Sequence, residues 1–394
     1  MKTGYSIAAH WTGGFDEAGL QQWAADLRLQ LDAPVSLGLV FTTPEFFPHA
    51  TQLLEVLRLG GRIPLLVGCS STSLVVGGQE IEDNARLALG LYSLPGAELG
   101  VAHFTQRQVE EANGPAYWHL ETGVDAERTN GWLAFLDPFQ MDSEGWLRSW
   151  NEAYAPAPVV GGLASGDFKA QQTQVYLNGD VFDEGGVAVS VGGAVRLAGV
   201  ISQGCTPIGE TWTLTRVQQN MIEQIANRPA YQVLVDTVEK LSPEEQKRAR
   251  GNLFIGLAIN EYMEEFHRGD FLVRNLIGAD PRSGVLAVGA FPRTGQTIQF
   301  QRRDATAARE DMEGVMARAR ADLGGATIYG GCLCVCNGRG KHLFGKPNHD
   351  AQMVQRHFGP LGLAGFFCNG EIGPVGESNF LHGFTASLGL FVKK

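Results

Sequence analysis

Three cysteines alternate with apolar residues in the stretch GGCLCVCNGRG, residues 330–340. Every second side chain of a β-strand lies on the same face, so Cys332, Cys334 and Cys336 would share one face. Their Cα atoms would lie about 7 Å apart. Thiolates on one zinc ion lie only about 4 Å apart, given Zn–S bonds of about 2.3 Å. A regular strand therefore cannot close a metal cage here, and the spacing does not favour a disulfide.

We predict that Cys332 and Cys334 are core residues, because the residues between them are also apolar. Cys336 ends the strand where the chain opens into Asn337 and a glycine-flanked arginine, so it is a candidate for lining a site. Arg339 has two interpretations. It is either an exposed turn residue or a guanidinium presented to bind a carboxylate or phosphate through two hydrogen bonds.

A second polar strand end is FFCNGEIGP, residues 366–374, which carries Cys368, Asn369 and Glu371. Ligands of open α/β sheets bind outside the carboxyl ends of the strands. Glu371 and Arg339 would then hold the amine and the carboxylate of an amino acid. The alternative is that these two residues form a salt bridge with each other and contact no ligand.

Other strand ends carry small polar residues. The apolar run at 62–72 finishes as VGCSS, which contains Cys69 and Ser70, and Ser165 lies in VGGLASGD. Cys205 is expected in a turn before Pro207. The predicted ligand-binding set is Cys336, Asn337, Arg339, Cys368, Asn369, Glu371, Cys69, Ser70 and Cys205, with Ser165 close to it.

Enzymatic and haem chemistry stay open as alternatives. A cysteine nucleophile needs a thiol of lowered pKa and a base within reach, and a sequence shows neither. Motifs such as G-x-S-x-G and the phosphate-binding glycine loops are missing. His382 is a candidate haem ligand or general base, but no C-x-x-C-H pair supports covalent haem. No catalytic residue, metal or cofactor is assigned, and haem is kept as the alternative cofactor.

The pattern of helices and strands repeats three times as strand, helix, strand. The first unit covers 33–72, the second 131–167 and the third 326–374, and antiparallel strands are predicted between them. This pattern predicts an α+β fold of two interleaved halves, with mixed sheets flanked by helices. A four-layer αββα sandwich would suit it. We place the domains at residues 1–228 and 229–394.

Composition limits the possible partners. The net charge is −11 over 394 residues without a basic run, so nucleic acid is not an expected partner. No apolar run is long enough to span a membrane, and the N-terminus does not resemble a secretory signal. We therefore expect a cytoplasmic protein, with its six cysteines as free thiols.

Four segments carry a resemblance to a known family: VGCSSTSLVVGGQE (67–80), residues 201–234, CVCNGRG (334–340) and residues 361–391. The chain resembles the FIST family, with an N-terminal and a C-terminal FIST domain. The resemblance implies a sensory and signal-transduction module that binds a small ligand, with amino acids as the suggested class. The polar strand ends, which could share one end of the sheets, predict that the pocket lies between the two halves.

The resemblance also implies alternatives. Some bacterial members of the family are assigned as haem-dependent nitric-oxide sensors, and some eukaryotic members carry an F-box and recruit ubiquitin-ligase substrates. No F-box or output domain accompanies the FIST region in this sequence. We therefore expect that any signal passes to a separate protein partner. A scaffold with a vestigial pocket is the remaining interpretation.

Overall fold

The computed structural model of the protein describes residues 4–167, 169–263 and 265–394. Helices accompany sheets with parallel and antiparallel pairs, which confirms the predicted α+β class. None of the helices in these ranges is both long and apolar enough to cross a membrane. The helices are α1 (Glu17–Arg28), α2 (Ala50–Gly61), α3 (Gln106–Glu111), α4 (Pro115–Thr122), α5 (Ser143–Tyr154), α6 (Ala230–Glu239), α7 (Pro243–Ala249), α8 (Ala305–Leu323), α9 (Gly340–Phe344) and α10 (His349–Phe358).

The chain divides into two compact units. Unit 1 contains Met1–Ile201 and Val315–Lys394, and unit 2 contains Ser202–Gly314. Unit 1 takes elements from both predicted halves, so the halves are interleaved as expected. The domain division at 1–228 and 229–394 concerns the sequence and stays a prediction.

Unit 1 contains three six-stranded sheets with one plan. Sheet A has the order β1 (Ser6–Trp11), β6 (Leu87–Tyr92), β2 (Leu37–Thr42), β3 (Leu66–Ser70), β10 (Val175–Leu177), β11 (Asp180–Phe182). Sheet B has the order β7 (Ala97–Phe104), β12 (Gly186–Gly193), β8 (Trp132–Leu136), β9 (Val159–Leu163), β23 (Glu371–Val375), β24 (Ser378–His382). Sheet C has the order β13 (Val195–Ser202), β25 (Ala386–Lys393), β21 (Ile328–Cys336), β22 (Leu363–Cys368), β4 (Leu74–Val76), β5 (Gln79–Ile81).

A parallel pair lies at the centre of each sheet, which confirms the three predicted strand–helix–strand units. The pairs are β2–β3, β8–β9 and β21–β22, with α2, α5 and α10 in the connections. The second strand of each pair has a glycine facing its neighbour's backbone: Gly68, Gly161 and Gly365. A Cβ atom there would lie 1.7–1.9 Å from a carbonyl oxygen of the adjacent strand. These positions therefore require glycine because the strands approach too closely for any side chain.

Each sheet is completed by a hairpin that follows a strand of another sheet. Hairpin β4–β5 follows β3 of sheet A but pairs with β22 of sheet C. Hairpin β10–β11 has Asn178-Gly179 at its turn, which is a strong hairpin signal in a sequence. It follows β9 of sheet B but pairs with β3 of sheet A. Hairpin β23–β24 follows β22 of sheet C but pairs with β9 of sheet B. The exchange closes a ring of three sheets, and the chain crosses between sheets directly after β3, β9 and β22.

The inner faces of the three sheets share one apolar core. Phe41 of sheet A, Phe135 of sheet B and Phe366 of sheet C meet with ring centroids 4.8–5.7 Å apart. Helices α1 and α2 cover the outer face of sheet A, and α5 covers that of sheet B. The four-layer sandwich is not confirmed, because three sheets rather than two meet at this core.

Unit 2 contains one sheet that closes on itself. The order is β14 (Cys205–Gln218), β20 (Thr297–Arg303), β17 (Leu253–Ala258), β18 (Phe271–Asp280), β19 (Val285–Val288), β15 (Met221–Ile225) and β16 (Arg228–Pro229). An additional pairing of β14 with β15 closes the ring, and α6 packs on the same apolar core. A closed sheet leaves few exposed edges.

Candidate functional site

The three crossover turns of unit 1 meet at the carboxyl ends of the parallel pairs. Ser71 and Ser165 are buried there, and both hydroxyls donate to the carbonyl oxygen of Phe367, at 2.9 and 2.6 Å. The backbone N–H of Ser165 donates to the carbonyl oxygen of Ser70 at 3.1 Å. Because one turn comes from each repeat, these bonds join the three sheets at one point, which we call the crossover junction.

Exposed polar side chains cover the crossover junction. The Thr72 hydroxyl donates to Asn337 Oδ1 at 3.3 Å, and Asn337 Nδ2 donates to Asn369 Oδ1 at 2.9 Å. Asn369 Nδ2 donates to the carbonyl oxygen of Ala164 at 3.0 Å. Ser165 Oγ accepts the N–H of Thr72 at 3.0 Å. This cluster joins residues of the N-terminal and C-terminal parts of the chain, and all its side chains are neutral.

Two thiols and a carboxyl lie together near this cluster. Cys368 Sγ donates to Glu371 Oε1 at 3.2 Å, and Glu371 Oε2 accepts the N–H of Thr385 at 2.9 Å. Burial raises the pKa of Glu371 to about 7, although hydrogen bonds from Thr385, Cys368 and Cys336 oppose that shift. Burial and the nearby Glu371 carboxyl raise the pKa of the Cys336 thiol to about 12. The same causes raise the pKa of Cys368 well above its usual range.

These thiols have the opposite electrostatics from an activated nucleophile. The thiolate is the reactive form, and a positive environment must lower the thiol pKa to produce it at neutral pH. Cys336 and Cys368 instead lie beside a carboxyl group and stay protonated. This arrangement gives no support to the cysteine-enzyme alternative.

Arg339 is fully buried and binds a carboxylate of its own chain. Its Nε and Nη2 atoms donate to the two oxygens of Asp350 at 2.6 and 2.8 Å. Burial of Asp350 opposes its ionisation, but the Arg339 charge and hydrogen bonds outweigh that effect and lower the Asp350 pKa to about 2. His349 Nδ1 also lies 2.9 Å from Asp350. Sequence reasoning missed Asp350, although its place in the first turn of a helix was visible.

Hairpin β4–β5 brings a second buried carboxyl to this ion pair. Glu80 Oε1 accepts the backbone N–H groups of Asp350 and Ala351 at 2.7 and 2.9 Å, at the start of α10. Burial, followed by repulsion from Asp350, raises the pKa of Glu80 to about 7. Glu80 belongs to the acidic stretch GQEIEDN, residues 78–84, and nothing in the sequence indicates its partner.

The other predicted site residues, Cys69, Ser70 and Cys205, are buried and make other contacts. Cys69 is in the shared core, and the Ser70 hydroxyl accepts the N–H of Gln174 at 3.0 Å, also buried. Cys332 and Cys334 are fully buried, as predicted. Cys205 is not in a turn, which corrects the prediction. It begins β14 in unit 2 and pairs there with Arg303, because Pro207 is compatible with the start of a strand.

Metal and haem ligation can be compared with the side chains in place. Within the three described ranges, no group of three or more His, Cys, Asp or Glu side chains is arranged to hold a metal ion. His382 is buried, and its Nε2 lies 3.1 Å from the carbonyl oxygen of Gly373. An axial haem ligand needs an accessible imidazole nitrogen, so His382 does not fit that role in this conformation.

The fold and the junction define an α+β module in which two parts of one chain build a shared polar face. Comparison with known families places the chain more closely. The FIST N domain profile matches residues 36–228 and the FIST C domain profile matches residues 230–374. The protein belongs to the FIST family, as its sequence motifs predicted. FIST domains are associated with signal transduction and small-ligand sensing.

Individual relatives add no assigned activity. An uncharacterized protein of Mycobacterium tuberculosis H37Rv is 38% identical over 346 residues, covering 87% of this chain and 88% of the relative. An uncharacterized protein of Mycobacterium bovis is 38% identical over 331 residues, covering 84% and 83%. Two solved cyanuric acid hydrolases, one from A. caulinodans, are 9% identical with TM-scores of 0.37 and 0.39, covering 98–99% of each chain. Both TM-scores are below 0.5.

Proposed function

We propose that this protein is a cytoplasmic sensor that binds an amino acid or a similar small metabolite at the crossover junction. The observation that carries the proposal is the exposed cluster of Thr72, Asn337 and Asn369. It lies at the carboxyl ends of three parallel strand pairs, where ligands of such sheets bind. The cluster joins the regions that match the FIST N and FIST C domains, so a ligand there would contact both.

The chemistry of the cluster suggests how it would recognise a ligand. Amide and hydroxyl groups both donate and accept hydrogen bonds, and can therefore bind an ammonium as well as a carboxylate. Arg339 and Glu371, the charged pair expected to hold an amino acid, are buried and bonded within the chain. Their proposed role is to fix the loop carrying Asn337 and the hairpin after Asn369. Side chains held by such supporting contacts bind with less loss of entropy.

The signalling step would involve a separate protein. A ligand that joins three sheets at one point stabilises the conformation in which all three crossover turns are aligned. A partner protein would then distinguish the bound from the free form. Six free cysteines fit the reducing conditions of the cytoplasm, which is the proposed location.

Thermal unfolding in the presence of each of the twenty amino acids tests this proposal. A ligand at one hundred times its dissociation constant stabilises the folded state by about 2.7 kcal/mol, which raises the melting temperature by several degrees. We expect one or a few amino acids to do so. Native mass spectrometry of protein purified from its host would identify a similar metabolite by its mass.

Variants locate the binding site. Asn337→Ala and Asn369→Ala should each weaken binding of the identified ligand at least tenfold in titration calorimetry. Asn113→Ala, an exposed asparagine of unit 1 outside the cluster, is the matched control and should bind normally. If both cluster variants bind as tightly as the wild type, the crossover junction is not the site. If neither experiment finds a ligand, the sensor proposal fails.

A further inference from the structure

A groove of about 770 Å³ runs along one edge of sheet C. It is lined by five consecutive residues of β13, from Arg196 to Val200. Neighbouring side chains of a strand point to opposite faces. A cavity that contacts five residues in a row must therefore follow the edge of the strand. β13 is the edge strand of its sheet, with β25 on its other side.

The backbone of β13 has hydrogen-bonding groups directed into this groove. The N–H of Leu197 donates to the carbonyl oxygen of Asn130 at 3.2 Å, and the Asn130 amide donates to the carbonyl oxygen of Val195 at 2.9 Å. The N–H of Leu197 and the carbonyl of Val195 therefore point away from β25. Backbone groups alternate in direction along a strand, so Gly199, two residues further, has the same orientation. The carbonyl of Leu197 and both backbone groups of Gly199 consequently face the groove.

A second wall of the groove contains Ala155–Pro158 and Pro374. Pro374 packs against one face of β13 at Gly199. Proline has no N–H group, so Pro156 and Pro158 cannot donate a hydrogen bond to β13. The wall is instead apolar and made of small or rigid residues, which suits the side chains of an added strand that point toward it. An edge with available N–H and C=O groups is a template for such a strand.

Charge indicates one further property of the occupant. Arg196 lies in the groove and is half-buried, and no ion pair within the described residues includes it. The other cation, Lys394, donates to Asn130 Oδ1 at 2.8 Å. Glu127 and Asp322 also line the groove, but both are exposed, so water screens their charges. An acidic side chain placed opposite Arg196 would be the complementary group.

We propose that β13 binds an extended peptide segment of a partner protein, which adds to sheet C as a further strand. The segment would carry small apolar residues toward the proline wall and one Asp or Glu toward Arg196. This binding surface uses none of the residues of the crossover junction, so it stands or falls independently of the ligand proposed above.

Selection of phage-displayed random heptapeptides against the full chain tests the inference. Fluorescence polarisation with synthetic versions of the selected peptides then measures their dissociation constants. We expect the selected peptides to share one acidic position. Arg196→Glu should weaken their binding at least tenfold, whereas the exposed control Arg282→Glu should not. Two N-methylated versions of each peptide are compared, one methylated at the odd-numbered residues and one at the even-numbered residues. Only one version should lose binding, because the N–H groups of alternate residues pair with β13. Unchanged melting temperatures verify that the variants fold.

Three results would overturn the inference. The first is that no peptide is enriched above background. The second is that the selected peptides tolerate Arg196→Glu, or that both N-methylated versions still bind. The third is that light scattering shows a dimer which Arg196→Glu dissociates, since a second copy of the chain would then occupy the groove.

Discussion

Replacing Asp350 with asparagine tests whether Arg339 supports the structure or contacts a ligand. Both side chains are fully buried and joined by two charge-assisted hydrogen bonds. The variant leaves a guanidinium buried without its counter-charge, and breaking a buried pair from one side costs about 3–5 kcal/mol. We expect the free energy of unfolding to fall by about that amount. If Arg339 were primarily a ligand contact, the substitution would affect binding while leaving stability nearly unchanged.

Urea unfolding followed by tryptophan fluorescence measures this loss, because six of the seven tryptophans belong to unit 1. Arg339→Met should cost a similar amount, and the double variant should cost much less than the sum, because both changes remove one interaction. The exposed pair of Arg107 and Glu111 is the control, and Glu111→Gln should leave the midpoint unchanged.

The lowered Asp350 pKa means that the pair of Arg339 and Asp350 stabilises the folded state above about pH 4, and that this stabilisation weakens as the pH falls toward 2. A wild-type midpoint for Asp350→Asn at pH 7 would refute the reasoning.

Two other substitutions test the junction and the repeats. Burial raises the Glu371 pKa from 4.5 to about 7, so between these pH values the folded state keeps a proton that the unfolded state releases. The free energy of unfolding should therefore fall by roughly 3 kcal/mol as the pH rises from 4.5 to 7. Glu371→Gln should remove this part of the pH dependence of urea unfolding, while the exposed Glu377→Gln should retain it; equal profiles would contradict the assignment. Gly68→Ala should lower the free energy of unfolding by about 1–3 kcal/mol or more, because its Cβ would lie 1.7 Å from the Val40 carbonyl oxygen. The melting temperature should fall accordingly. Gly14→Ala, with open space around it, should melt like the wild type.

Local patterns in the sequence predicted the repeated elements well. The predicted units at 33–72, 131–167 and 326–374 contain the parallel pairs β2–β3, β8–β9 and β21–β22, because periodicity is a short-range property. Asn178-Gly179 marked the hairpin β10–β11 for the same reason. The short hairpin β4–β5 was not predicted, since its strands have three residues each. The exchange of hairpins between sheets has no local signal, because it depends on pairing across hundreds of residues.

The polar side chains were harder to place than the strands. Asn337 and Asn369 were predicted to approach each other, and their side chains lie within hydrogen-bonding distance. Thr72, which completes the cluster, was passed over because a threonine in a polar turn is unremarkable in a sequence. The partner of Arg339 was also missed. This ion pair forms because the start of α10 packs against the loop that carries Arg339, and the charges in the sequence do not indicate that packing.

The exchanged hairpins affect the order in which unit 1 can fold. Sheet A cannot be completed before residues 175–182 have been synthesised, and sheet B must wait for residues 371–382. Sheet C joins residues 74–81 to a strand at 386–393. Such distant pairings fold slowly, and incomplete sheets expose unpaired edges meanwhile. The nascent chain therefore holds an unfinished ring until its last strands leave the ribosome, and chaperones that shield strand edges should associate with it during synthesis.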